Sequence, residues 1–508
     1  MTENPAPPRR SGSILFGLLA LIPAVVLLCT GYLIPTVRTV LASFTNASLM
    51  GGPGESVGMK NFEKLLPRFA ESLVGPLLLA TAVTGTALVC GGALAWLAAR
   101  AGRPGRWTLR LAFALPVAAV GGTVAAVSWQ LAFEDAAPNA YLAQFAAFAG
   151  LAVGLGATGY LLVFRRSTRL GATWPGALLV TGVIMATSTA YALQSFSFPL
   201  LLVAPNGPRG RTPTVLIFDA AFRSVQLGQA SAGAVLLWLL LAVLGIGVAV
   251  WLILSRARIE PAEQPEPAVP GDRSTWAAVS LVATGVAALI GLAGLLPLLL
   301  QSLSLSTKTI ESNLLGHLVN TWVPPLISTI LGVSAAALAG YGIGALRPLG
   351  RYSGLLLLPF APWLFTGLPA LTPDAFAHRG DDGEFLALIP PASLCVPVLF
   401  GSALLFRGVR WTRALPVLAL SGLMVWVVAA QDAWWQLIVA LEPSTMPMPV
   451  LLLQVVNRFG GEDAPVGWTY PLPALLLVAA AVAVVQVLFM DRLTLRTGKT
   501  GATLPLAP

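Results

Sequence analysis

Long apolar runs recur along the chain with only short polar gaps between them, and no other feature constrains the fold as tightly. They lie from Ile14 to about Pro35, near 75–99, 108–133, 143–163, 176–203 and 231–254, and again near 276–302, 321–345, 353–371, 386–406, 415–440 and 472–490. Each is long enough for a helix to cross a hydrocarbon layer of ~30 Å. Of 508 residues, 56% are hydrophobic and 10% are charged, against about 25% charged in a soluble domain. A soluble enzyme, a coiled coil, a disulfide scaffold and a disordered chain are excluded. Backbone groups in lipid must be satisfied within the spanning structure, so the expected fold class is all-α: a polytopic membrane protein of about 12 transmembrane helices.

The runs divide six and six about one break. Residues 255–275 hold four prolines and a cluster of charges and cannot span a membrane. The expected organisation is a six-span half at 1–254, a cytoplasmic linker at 255–275, a second six-span half at 276–490 and a cytoplasmic tail at 491–508. The first run exceeds the usual signal-peptide core and has no small-residue cleavage site after it, so it reads as an uncleaved span. With both termini placed inside, twenty of the thirty Lys and Arg fall in inner loops and fourteen of the twenty-one acids in outer ones. That bias predicts a plasma-membrane protein, multi-pass, with both termini cytoplasmic. The net charge of +9 is therefore a topology signal, and nucleic acid is not an expected partner. Cys29, Cys90 and Cys395 sit apart in apolar runs, His317 and His378 are isolated, and no metal site is expected.

The halves echo each other. Arg103-Pro104-Gly105-Arg106-Trp107 leads into Leu115-Pro116, and Arg347-Pro348-Leu349-Gly350-Arg351-Tyr352 leads into Leu358-Pro359. Two parallel six-helix repeats, with a pathway at their interface, would follow. Small-residue pairs such as Gly150/Gly154 and Gly340/Gly344 suit close helix packing.

Several stretches resemble the membrane subunits of carbohydrate-importing ABC transporters of the maltose type. They are Asn61-Phe62 with Leu65-Leu66; Leu115-Pro116 leading to Trp129 through Phe133 and Asn139; and Asn206-Gly207-Pro208, Thr212 to Thr214 and Ala221-Phe222 with Leu227 through Ser231. In the second half, His317 to Thr321, Ala339 through Gly344 with Gly350-Arg351, and Gln431-Asp432-Ala433-Trp434-Trp435 are similar to the companion permease. The resemblance implies two permeases fused in one chain of a bacterial inner membrane, working with ATP-binding cassette subunits and an extracytoplasmic solute-binding protein. ATP would be bound by those separate subunits. Gly498-Lys499-Thr500 lacks the leading glycine of a phosphate loop, so no cofactor is expected in this chain.

One departure stands out. The family couples to its ATPase through a cytoplasmic EAA…G helix, and the glutamate is missing from both matching turns. The residues left for coupling are Arg165, Arg169, Gly171 and Trp174 in the first turn and Arg407, Gly408, Arg410 and Trp411 in the second. Either coupling uses different contacts, or the chain is a permease-derived structural subunit that no longer pumps.

For the solute pathway, Asp432 is the one carboxylate well inside an apolar run, flanked by Gln431, Trp434, Trp435 and Gln436. A lone acid in a membrane faces a cavity or a partner, and aromatic faces beside polar groups suit sugar rings. The competing reading is an interfacial aromatic belt at headgroup depth. Gln194 and Ser195 in the fifth run are secondary candidates. Two other functions compete. A major-facilitator transporter also has six plus six spans, but its first inner loop carries an aspartate absent from residues 101–106. A membrane glycosyltransferase would use outer acidic pairs such as Glu134-Asp135 or Asp381-Asp382.

Overall fold

The computed structural model describes residues 11–48, 54–119, 121–133, 139–165, 170–202, 211–262, 273–303, 314–377, 385–440, 442, 446–459 and 470–498. Among them the protein is almost wholly helical, and nine helices are long and apolar enough to cross a bilayer. These run Ile14–Ser43, Lys60–Arg100, Ala140–Phe164, Thr173–Leu193, Leu227–Leu254, Thr275–Leu303, Leu314–Leu346, Trp411–Val439 and Leu472–Arg492. Their outer faces carry Leu78, Val89, Val243 and Leu289, each two-thirds or more exposed. Exposed apolar surface on that scale needs lipid around it.

Where lipid surrounds the helices, burial of apolar surface does not drive helix against helix, and association depends on close packing. The contacts cross between the two halves of the sequence. The first span packs on the second half, with Gly31 against the carbonyl of Pro391, and Thr275–Leu303 packs on the first half, with Gly294 against the carbonyl of Ala146. A Cβ at either glycine would overlap the facing backbone. The largest apolar cluster draws on both halves, including Leu21, Leu179, Val248, Leu357, Leu399 and Phe406.

Five expected spans are not single α-helices. The run at 108–133 consists of Arg103–Ala112, Ala114–Ala118 and Gly122–Ala132. The run at 353–371 is largely a 3-10 helix, Gly350–Trp363, with Pro359 and Pro362 inside it. Each proline removes a backbone donor and crowds the preceding turn. The run at 386–406 becomes α-helical only at Val396–Phe406. The runs at 176–203 and 415–440 are interrupted near their ends, at 194–196 and 431–433.

The linker and the tail, expected as separate polar segments, meet. Strand β1 (Arg258–Pro261) pairs antiparallel with β2 (Leu493–Arg496), Arg258 opposite Arg496 and Pro261 opposite Leu493. Glu260 sits between Arg258 and Arg496 and forms an ion pair with each. This ribbon marks one end of the bundle. The loops after Ser43 and before Ala140 mark the far end.

Candidate functional site

Four helix interruptions meet on the far side of the bundle, at Ala119 and Gly121, at 194–196, at 364–367 and at 431–433. A broken helix leaves carbonyls and N–H groups without intrahelical partners, and each must find another in a dry interior. The carbonyls of Leu193 and Ser195 accept from the hydroxyls of Thr214 (3.3 Å) and Thr212 (2.7 Å). These threonines belong to the stretch from Thr212 to Thr214 that carries the permease resemblance. Two other such stretches also converge, for the buried Asn61 amide donates to the carbonyls of Ser43 and Thr45, against which Gly228 packs.

Gln194 crosses to the other half. Its amide nitrogen donates to the Phe365 carbonyl at 2.9 Å and its amide oxygen accepts from the Gly367 N–H at 2.6 Å. Gln431 crosses in the opposite direction: its amide lies so close over Gly121 that no Cβ fits there. Each glutamine at one helix interruption thus lies against a glycine at an interruption in the other half. Beside them, Thr123 and Ser197 share a hydrogen bond of 2.9 Å.

Asp432 and Tyr191 lie near one another at this seam, and both carry exposed surface, Tyr191 at 47%. The Tyr191 hydroxyl is hydrogen-bonded to Gln144, whose Oε1 also accepts from Ser195 at 2.9 Å. The ring of Tyr191 stands edge-on to Phe148 at 5.7 Å. Asp432 Oδ1 accepts from the Trp434 N–H at 3.2 Å, and the carboxylate also accepts from the Ala433 N–H. A carboxylate, a phenol and an aromatic face near one another are the groups that suit a small hydroxyl-bearing solute.

The tryptophans are not among these groups. Trp434 is 1% exposed and stands edge-on to Phe196 at 4.8 Å, and Trp435 is 3% exposed with Nε1 donating to the Ala387 carbonyl. Both serve the apolar core, because the short helix Trp434–Val439 turns that face inward. Gln436 is buried beside them, and its Oε1 and Trp434 Nε1 lack hydrogen-bond partners. Sequence reasoning missed Tyr191 and Gln144. The signal for Tyr191 was available: it precedes Gln194 and Ser195 by three and four residues, on one helix face.

The expected coupling turns lie at the ribbon end, and the ribbon covers part of them. Arg407 donates to the Ala257 carbonyl at 2.8 Å, and Gly408 is pressed against Ile259 and Glu260 of β1. Arg165 donates to the Asp491 carbonyl at 3.1 Å, beside β2. From Phe406 to Trp411 the chain passes between helices in only four residues, so no docking helix stands there. Arg410 is exposed. Trp411 stacks on Phe406 at 5.3 Å and remains 42% exposed, while Trp174 is 61% exposed. Arg169 lies outside the described residues, and Gly171 lies in the first turn of helix Leu170–Leu193. The acidic pairs Glu134-Asp135 and Asp381-Asp382 also lie outside the described residues.

His317 is buried, with Nδ1 2.7 Å from the Met446 carbonyl, and the described residues contain no cluster of metal-ligating side chains. The three cysteines are free. No family model matches the chain, and no curated protein and no solved structure matches it either.

Proposed function

We propose that the chain is a fused permease: two six-span repeats in a bacterial inner membrane, both termini cytoplasmic, with a pathway for a carbohydrate or related solute at their interface. The crossed contacts of Gln194 with Gly367 and of Gln431 with Gly121 carry this reading. Two halves related by a pseudo-two-fold axis would make such contacts in pairs, and interrupted helices at a repeat interface are where membrane transporters bind solute. The pairing of β1 with β2, one after each half's last span, fits the same axis. On this reading the nine long helices and the expected runs at 108–133, 353–371 and 386–406 together make twelve crossings. The test is thermal stabilisation of the purified protein by a panel of mono- and oligosaccharides, followed by uptake into proteoliposomes. Stabilisation that disappears in Tyr191→Phe with Asp432→Asn supports the reading. A panel with no effect overturns it.

A second reading is favoured by one observation. The four-residue turn at Arg407–Arg410 and the ribbon over Gly408 leave little surface for an ATPase. On that reading the chain is a permease-derived structural subunit of a larger membrane assembly. Copurification in mild detergent separates the two: an ATP-binding cassette subunit together with a solute-binding protein supports the importer, and a large assembly without them supports the structural role.

A further inference from the structure

The ribbon end of the bundle holds a cavity of about 530 Å³ between the helix Arg103–Ala112, the turn at Arg165, the start of helix Trp411–Ala430 and the segment 487–493. Its charge is one-sided. Arg103, Arg106, Arg165, Arg413 and Arg492 line it, and Asp491 is the single acid among its lining residues.

That acid is already engaged. Arg106 is 3% exposed and grips Asp491 with both Nε (2.8 Å) and Nη2 (3.2 Å). Immediately behind, Arg110 is also 3% exposed; its Nε is 3.8 Å from the same carboxylate, too far for a hydrogen bond, and Nε and Nη1 lack partners. Arg165 reaches the Asp491 backbone carbonyl. Two buried guanidinium groups thus share one carboxylate, and a third holds the backbone carbonyl of the same residue. A buried guanidinium with unpartnered nitrogens, as in Arg110, is costly, and a second anion nearby offsets that cost.

The walls identify the kind of anion. Val487, Leu488 and Phe489 line one side of the cavity, directly after the apolar helix Leu472–Leu488. Trp107 lines it too, under the guanidinium of Arg103 at 4.2 Å, with its buried Nε1 unpartnered. Arginines around a pocket floor, with an apolar wall continuous with a membrane span, match a phosphate group attached to acyl chains. Basic pockets between spans are where anionic headgroups bind, and arginine pairs phosphate oxygens two at a time.

We propose that this cavity binds the phosphate of an anionic phospholipid headgroup. The site is independent of the proposed solute site, which lies across the bundle, and it clamps the first half, the second half and the tail together through one bound lipid.

The test uses the full-length protein in a neutral detergent. Phosphatidylglycerol, phosphatidylcholine and inorganic phosphate are added separately, and retained lipid is counted by native mass spectrometry alongside the unfolding temperature. Arg103→Gln with Arg413→Gln and Arg492→Gln removes three exposed cavity arginines while leaving the Arg106–Asp491 pair in place. Arg256→Gln with Arg351→Gln and Arg410→Gln removes equal charge from exposed positions outside the cavity. The expected result is retention of phosphatidylglycerol but not phosphatidylcholine, weakened at least tenfold in the cavity variant and unchanged in the outside variant. Equal weakening in both variants, or no retention of phosphatidylglycerol, overturns the proposal. Stabilisation by inorganic phosphate without lipid retention overturns the lipid assignment.

Discussion

The side-chain amide of Gln194 holds the backbone of Gly367, accepting its N–H at 2.6 Å across 173 residues of sequence. The same amide donates to Phe365, so one side chain satisfies both a donor and an acceptor freed where the chain leaves its 3-10 helix. Replacing Gln194 by Leu keeps the volume but strands both groups. A buried unsatisfied donor or acceptor costs ~1–3 kcal/mol. The expected outcome is a lower unfolding temperature in detergent, with Gln194→Glu recovering less than half of the loss because its carboxylate cannot donate to Phe365.

Gly121 and Gly122 are adjacent, yet they should respond differently to the same change. A Cβ at Gly121 meets the Gln431 amide, whereas one at Gly122 meets nothing nearer than the Tyr191 hydroxyl at 3.9 Å. Gly121→Ala should displace the Gln431 amide and lower stability by ~1 kcal/mol, the low end of overpacking because that side chain can swing aside, and Gly122→Ala should cost less than half of that. Combining Gly121→Ala with Gln431→Ala should restore stability, because residues in direct contact couple by ~0.5–3 kcal/mol. Thermal unfolding of the four variants checks this, and simple additivity would refute the crossed contact.

Asp432→Asn should leave expression and folding near normal while altering solute binding or transport. The carboxylate accepts backbone hydrogen bonds from Trp434 and Ala433, which an Asn side-chain oxygen can also accept. Solute-dependent stabilisation measured on both proteins decides the matter. Unchanged binding would return Asp432 to a capping role only.

Trp174 and Trp411 should separate docking from packing. Trp174 is the more exposed, and Trp411 is stacked on Phe406 and edge-on to Tyr341 at 5.7 Å. Trp411→Ala is expected to lower the unfolding temperature, since aromatic pairs contribute ~0.5–1.5 kcal/mol beyond their burial. Trp174→Ala should leave stability unchanged and, if an ATPase copurifies, reduce its recovery. Full recovery in both single variants and in the double variant would place docking elsewhere.

Arg410 and Glu55 should label from opposite sides of the membrane. Both are exposed, at the ribbon end and at the far end. In a protein lacking Cys29, Cys90 and Cys395, Arg410→Cys should react with an impermeant thiol reagent only after the cells are opened, and Glu55→Cys should react in intact cells. Reaction of both from one side would refute the topology.

Hydropathy alone identified a polytopic helical membrane protein, because transfer into lipid is a local property that each run of residues carries by itself. It also singled out Gln194, Ser195, Gln431 and Asp432, since a polar side chain in an apolar run must find a partner wherever the chain folds. Which partner was not legible. Gly367 for Gln194 and Gly121 for Gln431 depend on backbone brought together from distant segments. The same holds for the tryptophans: their sequence placed them beside Asp432, but the turn at 431–433 decided that the indoles face the core and the carboxylate lies near Tyr191. Residues 258–261 and 493–496 are short and polar, and each read alone as a linker or a tail; they become strands only because each satisfies the other's backbone. The arginines that set topology by their number acquired a second consequence in three dimensions, where Arg106 and Arg110 meet the carboxylate of Asp491 and Arg165 its backbone carbonyl. Local transfer energy fixes which segments enter the membrane, while backbone satisfaction and charge pairing between remote segments fix how they meet.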